Sequence, residues 1–157
     1  MERAEAIRTL FIEHHDDYAL DEAARLVGWS SRQMAEEIAS SELRQIDDDA
    51  RVSWQAVAAI ATTIWSQEQI EAALGVHAHT LPPLTRLTER TVRLPGYQLL
   101  ALEAAALRRG QTLNELLATH VLDLTCAEAP ALVDQLPGFR EAFFWPQSVR
   151  RQSEHAA

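Results

Sequence analysis

The sequence predicts a mainly helical protein of two small modules, the second of which has one short strand that lacks a partner in its own chain. Three observations predict it. Five Gly and six Pro in 157 residues, with Ala and Leu abundant, leave long stretches free of helix breakers. Apolar residues recur at three- and four-residue spacing along most of the chain. One run, Thr91 to Leu94, alternates with period two instead and stops at Pro95-Gly96.

Apolar residues make up 47% of the chain, enough to build a folded core. The single cysteine, Cys126, excludes an internal disulfide and a Cys-based zinc site. No apolar run is long enough to cross a bilayer. The opening residues MERAEAIRTLF lack the apolar core of a secretory signal, so a cytoplasmic protein is expected. The formal charge of −9 is unevenly placed. Residues 1–80 hold six Arg against fifteen Asp and Glu (−9), residues 81–126 five Arg against four acids (+1), and residues 127–157 three against four (−1). The acidity therefore belongs to the first half.

Residues 1–75 read as the first module. Ala4, Ile7, Leu10 and Phe11 fall at helical spacing, and His14-His15-Asp16-Asp17 ends that helix. A second helix starts after Leu20, with Asp21 and Glu22 in the first turn, Ala23, Ala24, Leu26 and Val27 inward, and Gly28 as terminator. Ser30 or Ser31 caps a third helix over roughly 31–40, with Met34 and Ile38 inward. Leu43–Ile46 and Arg51–Trp54 flank an acidic tip, Asp47–Asp49, and read as a hairpin. Ser53 caps the next helix, whose inner face is Val57, Ile60, Ile64 and Trp65. A shorter helix follows from Ser66 to Leu74, with Ile70, Ala73 and Leu74 inward and Gly75 closing it.

Helix, tight turn, helix, small hairpin and capped helix over residues 18–61 resemble a winged helix-turn-helix of the MerR/excisionase type. The resemblance rests on Ala24, Gly28 and the hairpin leading into the Ser53-capped helix. It implies that the 31–40 helix enters the major groove, with Arg32 and Gln33 toward bases and Arg44 and Arg51 on phosphates. Glu36 and Glu37 on that helix and Asp47–Asp49 at the wing tip repel phosphate, which leaves protein contact open as the alternative use of this module.

Residues 76–88 contain Pro82-Pro83 and read as the linker. His77 and His79 lie two apart with no third ligand nearby, so neither a metal nor any other cofactor is expected. The second module spans 89–125. In its strand Val92 and Leu94 share one face, Thr91 and Arg93 the other. Pro95 opens a helix with Leu99, Leu102, Ala105, Ala106 and Leu107 inward, which Gly110 ends. Thr112 and Glu115 form a capping-box signature for the next helix, whose inner face is Leu113, Leu116, Leu117, Val121 and Leu124. One strand and two helices bury too little to stand alone. The most economical partner for the strand is the same strand of a second copy.

The VRLP run, the aliphatic helix, Arg109-Gly110 and the capped TLNELL helix resemble a ribbon-helix-helix domain of the Arc/MetJ/CopG type. The full expectation is then a mainly α chain: a winged helix-turn-helix-like module plus a ribbon-helix-helix dimerisation module with one short strand. The resemblance implies a homodimer through Val92, Leu94, Leu113, Leu116, Leu117 and Val121. Its antiparallel ribbon presents Glu89, Thr91 and Arg93 to base edges in double-stranded DNA, while Arg90 falls at an inward position and either reaches out to phosphate or marks the frayed start of the strand. The helix start at Thr112 and Asn114 grips phosphate through backbone amides.

Residues 126–146 contain a short helix from Pro130 to Leu136, broken at Pro137-Gly138, and then four of the ten aromatics within seven residues: Phe139, Phe143, Phe144 and Trp145. These either dock on the chain itself or anchor a second protein. Residues 147–157 read as a flexible tail. No Gly-rich phosphate loop, nucleophile triad or HExxH motif occurs, so no enzyme is expected. The expected function is a dimeric, sequence-specific transcriptional regulator, an antitoxin-type autorepressor being one form of it. The alternatives are a protein adaptor dimerised through the same module and a plasmid partition protein.

Overall fold

Helix α1 (Arg3–Phe11) forms because Ala6, Ile7, Leu10 and Phe11 place four buried groups on one stripe. The computed structural model describes residues 2–13, 15–40, 45–46 by backbone alone, and 51–149. Among these the chain is mainly helical, with eight α-helices and one small antiparallel sheet. It divides into two units: Met1–Leu87 together with Glu141–Ala157, and Thr88–Arg140.

In the first unit, α1 is followed by strand β1 (Asp17–Ala19) and then α2 (Leu20–Val27), which ends on Gly28 at φ 76°. That left-handed conformation is one that glycine adopts without a Cβ penalty. Helix α3 (Ser31–Ser40) buries Met34 and Ile38. Strands β2 (Gln45–Ile46) and β3 (Arg51–Ser53) pair antiparallel, and β3 also pairs with β1, placing β3 in the middle. Tyr18 lies opposite Val52, and both are fully buried. The two strands expected of the hairpin thus pair, whereas β1 was not expected and begins at Asp17, where the first helix was read to end. The expected residues Arg44 and Asp47–Asp49 lie outside the described residues.

Helix α4 (Trp54–Ile64) is capped by Ser53, whose Oγ accepts the Ala56 amide at 3.2 Å. Val57, Ile60 and Trp65 are buried, but Ile64 is exposed. Ile64 occupies the last helical position, where the next segment turns away from that face. Helix α5 (Gln67–Leu74) carries a complete capping box between Ser66 and Gln69 and buries Ile70 and Leu74. Beyond Gly75 the chain makes 3₁₀ turns at Gly75–Thr80 and Pro83–Thr85. Leu81 is buried in the first unit's core, and the Leu87 amide donates to Glu71 Oε1 at 2.6 Å.

The second unit contains α6 (Gly96–Arg109) and α7 (Leu113–Leu132). Gly110 ends α6 at φ 65°. Thr112 and Glu115 form the reciprocal capping box of α7. Helix α7 runs through Pro130, so the separate helix expected from Pro130 to Leu136 is replaced by a continuation. Pro130 costs the helix one backbone hydrogen bond, and the ladder resumes beyond it, with the Val133 amide on the Ala129 carbonyl at 2.9 Å. A short helix, α8 (Phe139–Phe143), runs across the division between the units. Among the described residues no helix is long and apolar enough to cross a membrane.

Candidate nucleic-acid interface

Residues Thr88 to Pro95 have no regular secondary structure within the single chain, and every one of them is exposed. A strand exists only when its backbone groups are paired, and here no second strand lies in register. Val92 is 73% exposed and Leu94 42%, although both are large apolar groups beside a helix pair. Arg93 and Thr91 are exposed, and the Arg90 guanidinium donates to the Glu89 carbonyl at 3.3 Å.

The helices behind this run have little core of their own. Within the second unit only Ala106, Leu116 and Ala129 are buried. Leu116 packs inside its own chain, and Leu113 is half-buried. Leu117, Val121 and Leu124 are exposed despite their place on the expected inner face. Leu107, expected on the buried face of α6, is also exposed. It points about 100° round the helix from its buried neighbour Ala106, which turns it off the packed side.

At the start of α7 the Thr112 amide is already taken. It donates to Glu115 Oε2 at 2.6 Å, and the Thr112 hydroxyl donates to the same atom at 2.9 Å. Hydrogen bonds from the Thr112 backbone and then its side chain hold the Glu115 carboxyl below the usual carboxylate value. Of the residues expected to grip phosphate here, Thr112 is therefore committed to the cap. The amides of Leu113 and Asn114 are the ones left in the first turn. Glu115 adds a negative charge at the same helix end, which the capping box predicts directly.

In the first unit the expected DNA contacts are engaged elsewhere. Arg32 Nε donates to Glu36 at 2.8 Å along one face of α3. Gln33 Oε1 accepts from the Ser30 amide and hydroxyl, each at 2.9 Å, so its acceptor serves the helix cap. Arg51 is ion-paired with Asp17 across the sheet, and Asp17 belongs to the strand that the sequence did not reveal. Glu36 and Glu37 line a shallow depression of about 360 Å³ with Trp29, Gln33 and Ser40. The surface of α3 is thus acidic where it is open.

The aromatic segment splits. Trp145 stacks on Phe11 and meets Trp54 edge-on, all inside the first unit, and Pro146 is fully buried. Trp145 therefore packs, partly buried, against the first unit's own core. Phe144 is exposed and meets Phe143 edge-on at 5.1 Å, while Phe139 is half-buried. The tail from residue 150 lies outside the described residues. No group of three His, Cys, Asp or Glu is placed to hold a metal among the described residues; the His77 and His79 rings lie 6.2 Å apart, and His79 Nδ1 bonds to the Val76 carbonyl within its own turn at 2.7 Å. No family model matches the chain, and no match was found among curated proteins or solved structures.

Proposed function

We propose that the chain is a dimeric, sequence-specific DNA-binding regulator in which residues 91–94 of two copies pair as an antiparallel ribbon. One observation carries the reading. An alternating, exposed and unpaired run stands directly before two helices whose large apolar side chains are also uncovered. Pairing two such runs satisfies their backbone groups, covers Val92, Leu94, Leu117 and Val121, and leaves Thr91 and Arg93 on the outer face. An outward guanidinium on a two-stranded ribbon suits bidentate recognition of guanine O6 and N7 in the major groove. The reading is non-enzymatic and needs no cofactor. Autorepression of the antitoxin kind fits it as one biological setting.

The first unit supports a different use in the same protein. Arg32 and Arg51 are neutralised by Glu36 and Asp17, and Glu36 and Glu37 present negative charge on the exposed face of the would-be recognition helix. That balance favours a protein-contact role for this unit over a second DNA contact. If the same held for the ribbon, the chain would be a dimeric adaptor.

Selection from a pool of random duplexes tests the reading. Purified protein at low salt should enrich a common, inverted-repeat sequence, with affinity falling steeply as salt rises. Enrichment of no sequence, with no retardation of any duplex, removes the DNA reading and leaves the adaptor.

A further inference from the structure

Helix α6 has a second apolar stripe that the ribbon does not use. Tyr97, Leu100, Ala104 and Leu107 are spaced three, four and three residues apart. This is the a–d–a–d spacing of a helix seam, and it lies on the opposite side of the helix from the buried Ala106 and the half-buried Leu102. Tyr97 is 72% exposed, Leu100 67% and Leu107 82%. Large apolar groups exposed in register along one helix mark a contact surface.

The flanking charges identify the occupant. With Tyr97 at an a position, Glu103 falls at g and Arg108 at e of the following heptad, both exposed. Two parallel seam helices bring g of one beside the next e of the other, five residues on. Glu103 then meets Arg108 of the second copy, and symmetry repeats the pair on the other side. An antiparallel partner would instead set like edges together, with Glu103 beside Glu103 of the second copy. The stripe is therefore complementary to itself in one orientation.

We infer that the α6 stripe is a self-association surface, on which α6 of a second copy packs in parallel with Glu103–Arg108 pairs at its rim. The inference rests on the ribbon dimer as the unit that associates. Two heptads are too short to hold two free chains together, so the contact works between units already paired. Each ribbon dimer carries two such stripes. Isologous contacts at both join dimers into tetramers and longer rows.

Sedimentation of the full chain over a range of concentrations tests this. Wild type should pass from dimer to larger species as concentration rises. Leu100→Glu and Leu107→Glu should stop at the dimer with unchanged helicity, because both side chains are exposed. Glu103→Arg and Arg108→Glu should each lose the larger species, and the double exchange should restore them. Restoration requires a second copy as occupant, since an unrelated protein would not supply the swapped partner. A wild type that remains dimeric at every soluble concentration overturns the stripe while leaving the ribbon intact, as does a Leu100→Glu chain that still forms larger species. Larger species from wild type that Leu100→Glu reduces to dimers, together with monomers from Leu94→Asp, uphold the stripe and identify the ribbon as the surface that pairs the units. A Leu94→Asp chain that associates as wild type does removes the ribbon, and with it the stripe as a contact between ribbon dimers.

Discussion

Trp145 stacks on Phe11, with ring centroids 5.6 Å apart and planes 27° from parallel. The contact joins the last described turn of the chain to its first helix, and Trp54 meets both rings edge-on at 6.4 Å. The Trp54 indole N–H donates to the Leu10 carbonyl at 2.7 Å, which fixes the cluster against α1. The first unit is thus closed by a segment that follows the second unit in sequence.

Trp145→Ala should therefore destabilise the first unit by about 3 kcal/mol, the lower part of the range for aromatic truncation, because Trp145 is only partly buried. Truncation before Glu141 should cost more, since it also removes the Gln55 contact to the Val149 carbonyl and the buried Pro146. Urea denaturation followed by tryptophan fluorescence measures both. A Trp145→Ala chain with wild-type stability would return Trp145 to the role of a free anchor.

Tyr18 is fully buried, and its hydroxyl accepts the His15 amide at 3.1 Å. Burial pushes its hydroxyl pKa up, the His15 bond opposes the shift, and Glu22 adds to it. The folded-state pKa lies above the unfolded one, so the fold favours the protonated phenol. Its contribution is complete below the ordinary tyrosine value of about 10 and is lost as pH rises through the folded value. Stability measured by denaturation from about pH 9 to about pH 12 should fall, and Tyr18→Phe should flatten part of that fall. At neutral pH the same variant should lose roughly 1 kcal/mol with its hydrogen bond. An identical alkaline slope in both chains would place the titrating group elsewhere.

The parts of the fold legible in the sequence are those set by neighbours in the chain. Ser30, Ser53, Ser66 and Thr112 cap helices because each needs only an amide three residues away. Gly28 and Gly110 end helices because the left-handed residue is a local requirement. The parts that stayed hidden depend on distant partners. Strand β1 has three residues, too few for a periodicity, and exists because Tyr18 meets Val52. Leu81 looks like linker but is buried in a core assembled from earlier helices. Clustered aromatics near Trp145 carried no sign of whether they face inward, and Phe11 decided it. At the candidate interface the alternation of residues 91–94 was readable, while the neutralisation of Arg51 was not, since Asp17 lies on the unseen strand. The Tyr97–Leu107 stripe was readable in its spacing and was masked by the inner stripe beside it.

Ser53→Ala removes a nearly buried cap at the junction of β3 and α4. The Ala56 amide loses its acceptor in a place that water does not easily reach. The expected cost is about 1 to 2 kcal/mol, and Ser53→Asp should recover part of it. Thermal unfolding at neutral pH distinguishes the two variants, and equal melting temperatures for wild type and Ser53→Ala would mean that the cap contributes nothing.

Arg93 and Arg32 offer the sharpest contrast between the two units. Arg93 is exposed on the run that the ribbon reading turns toward base edges, while Arg32 is held by Glu36 at 2.8 Å. Arg93→Ala should relax preference for the selected sequence by about 1–3 kcal/mol at the guanine it reads, while nonspecific binding weakens less. Arg32→Ala removes a charge already balanced by Glu36, so the preference should not change, and affinity should shift by less than about tenfold. Competition binding with the selected duplex and with single-base variants measures both. If Arg32→Ala erased the preference and Arg93→Ala did not, α3 would be the reading element, and the ribbon would serve only to join the two chains.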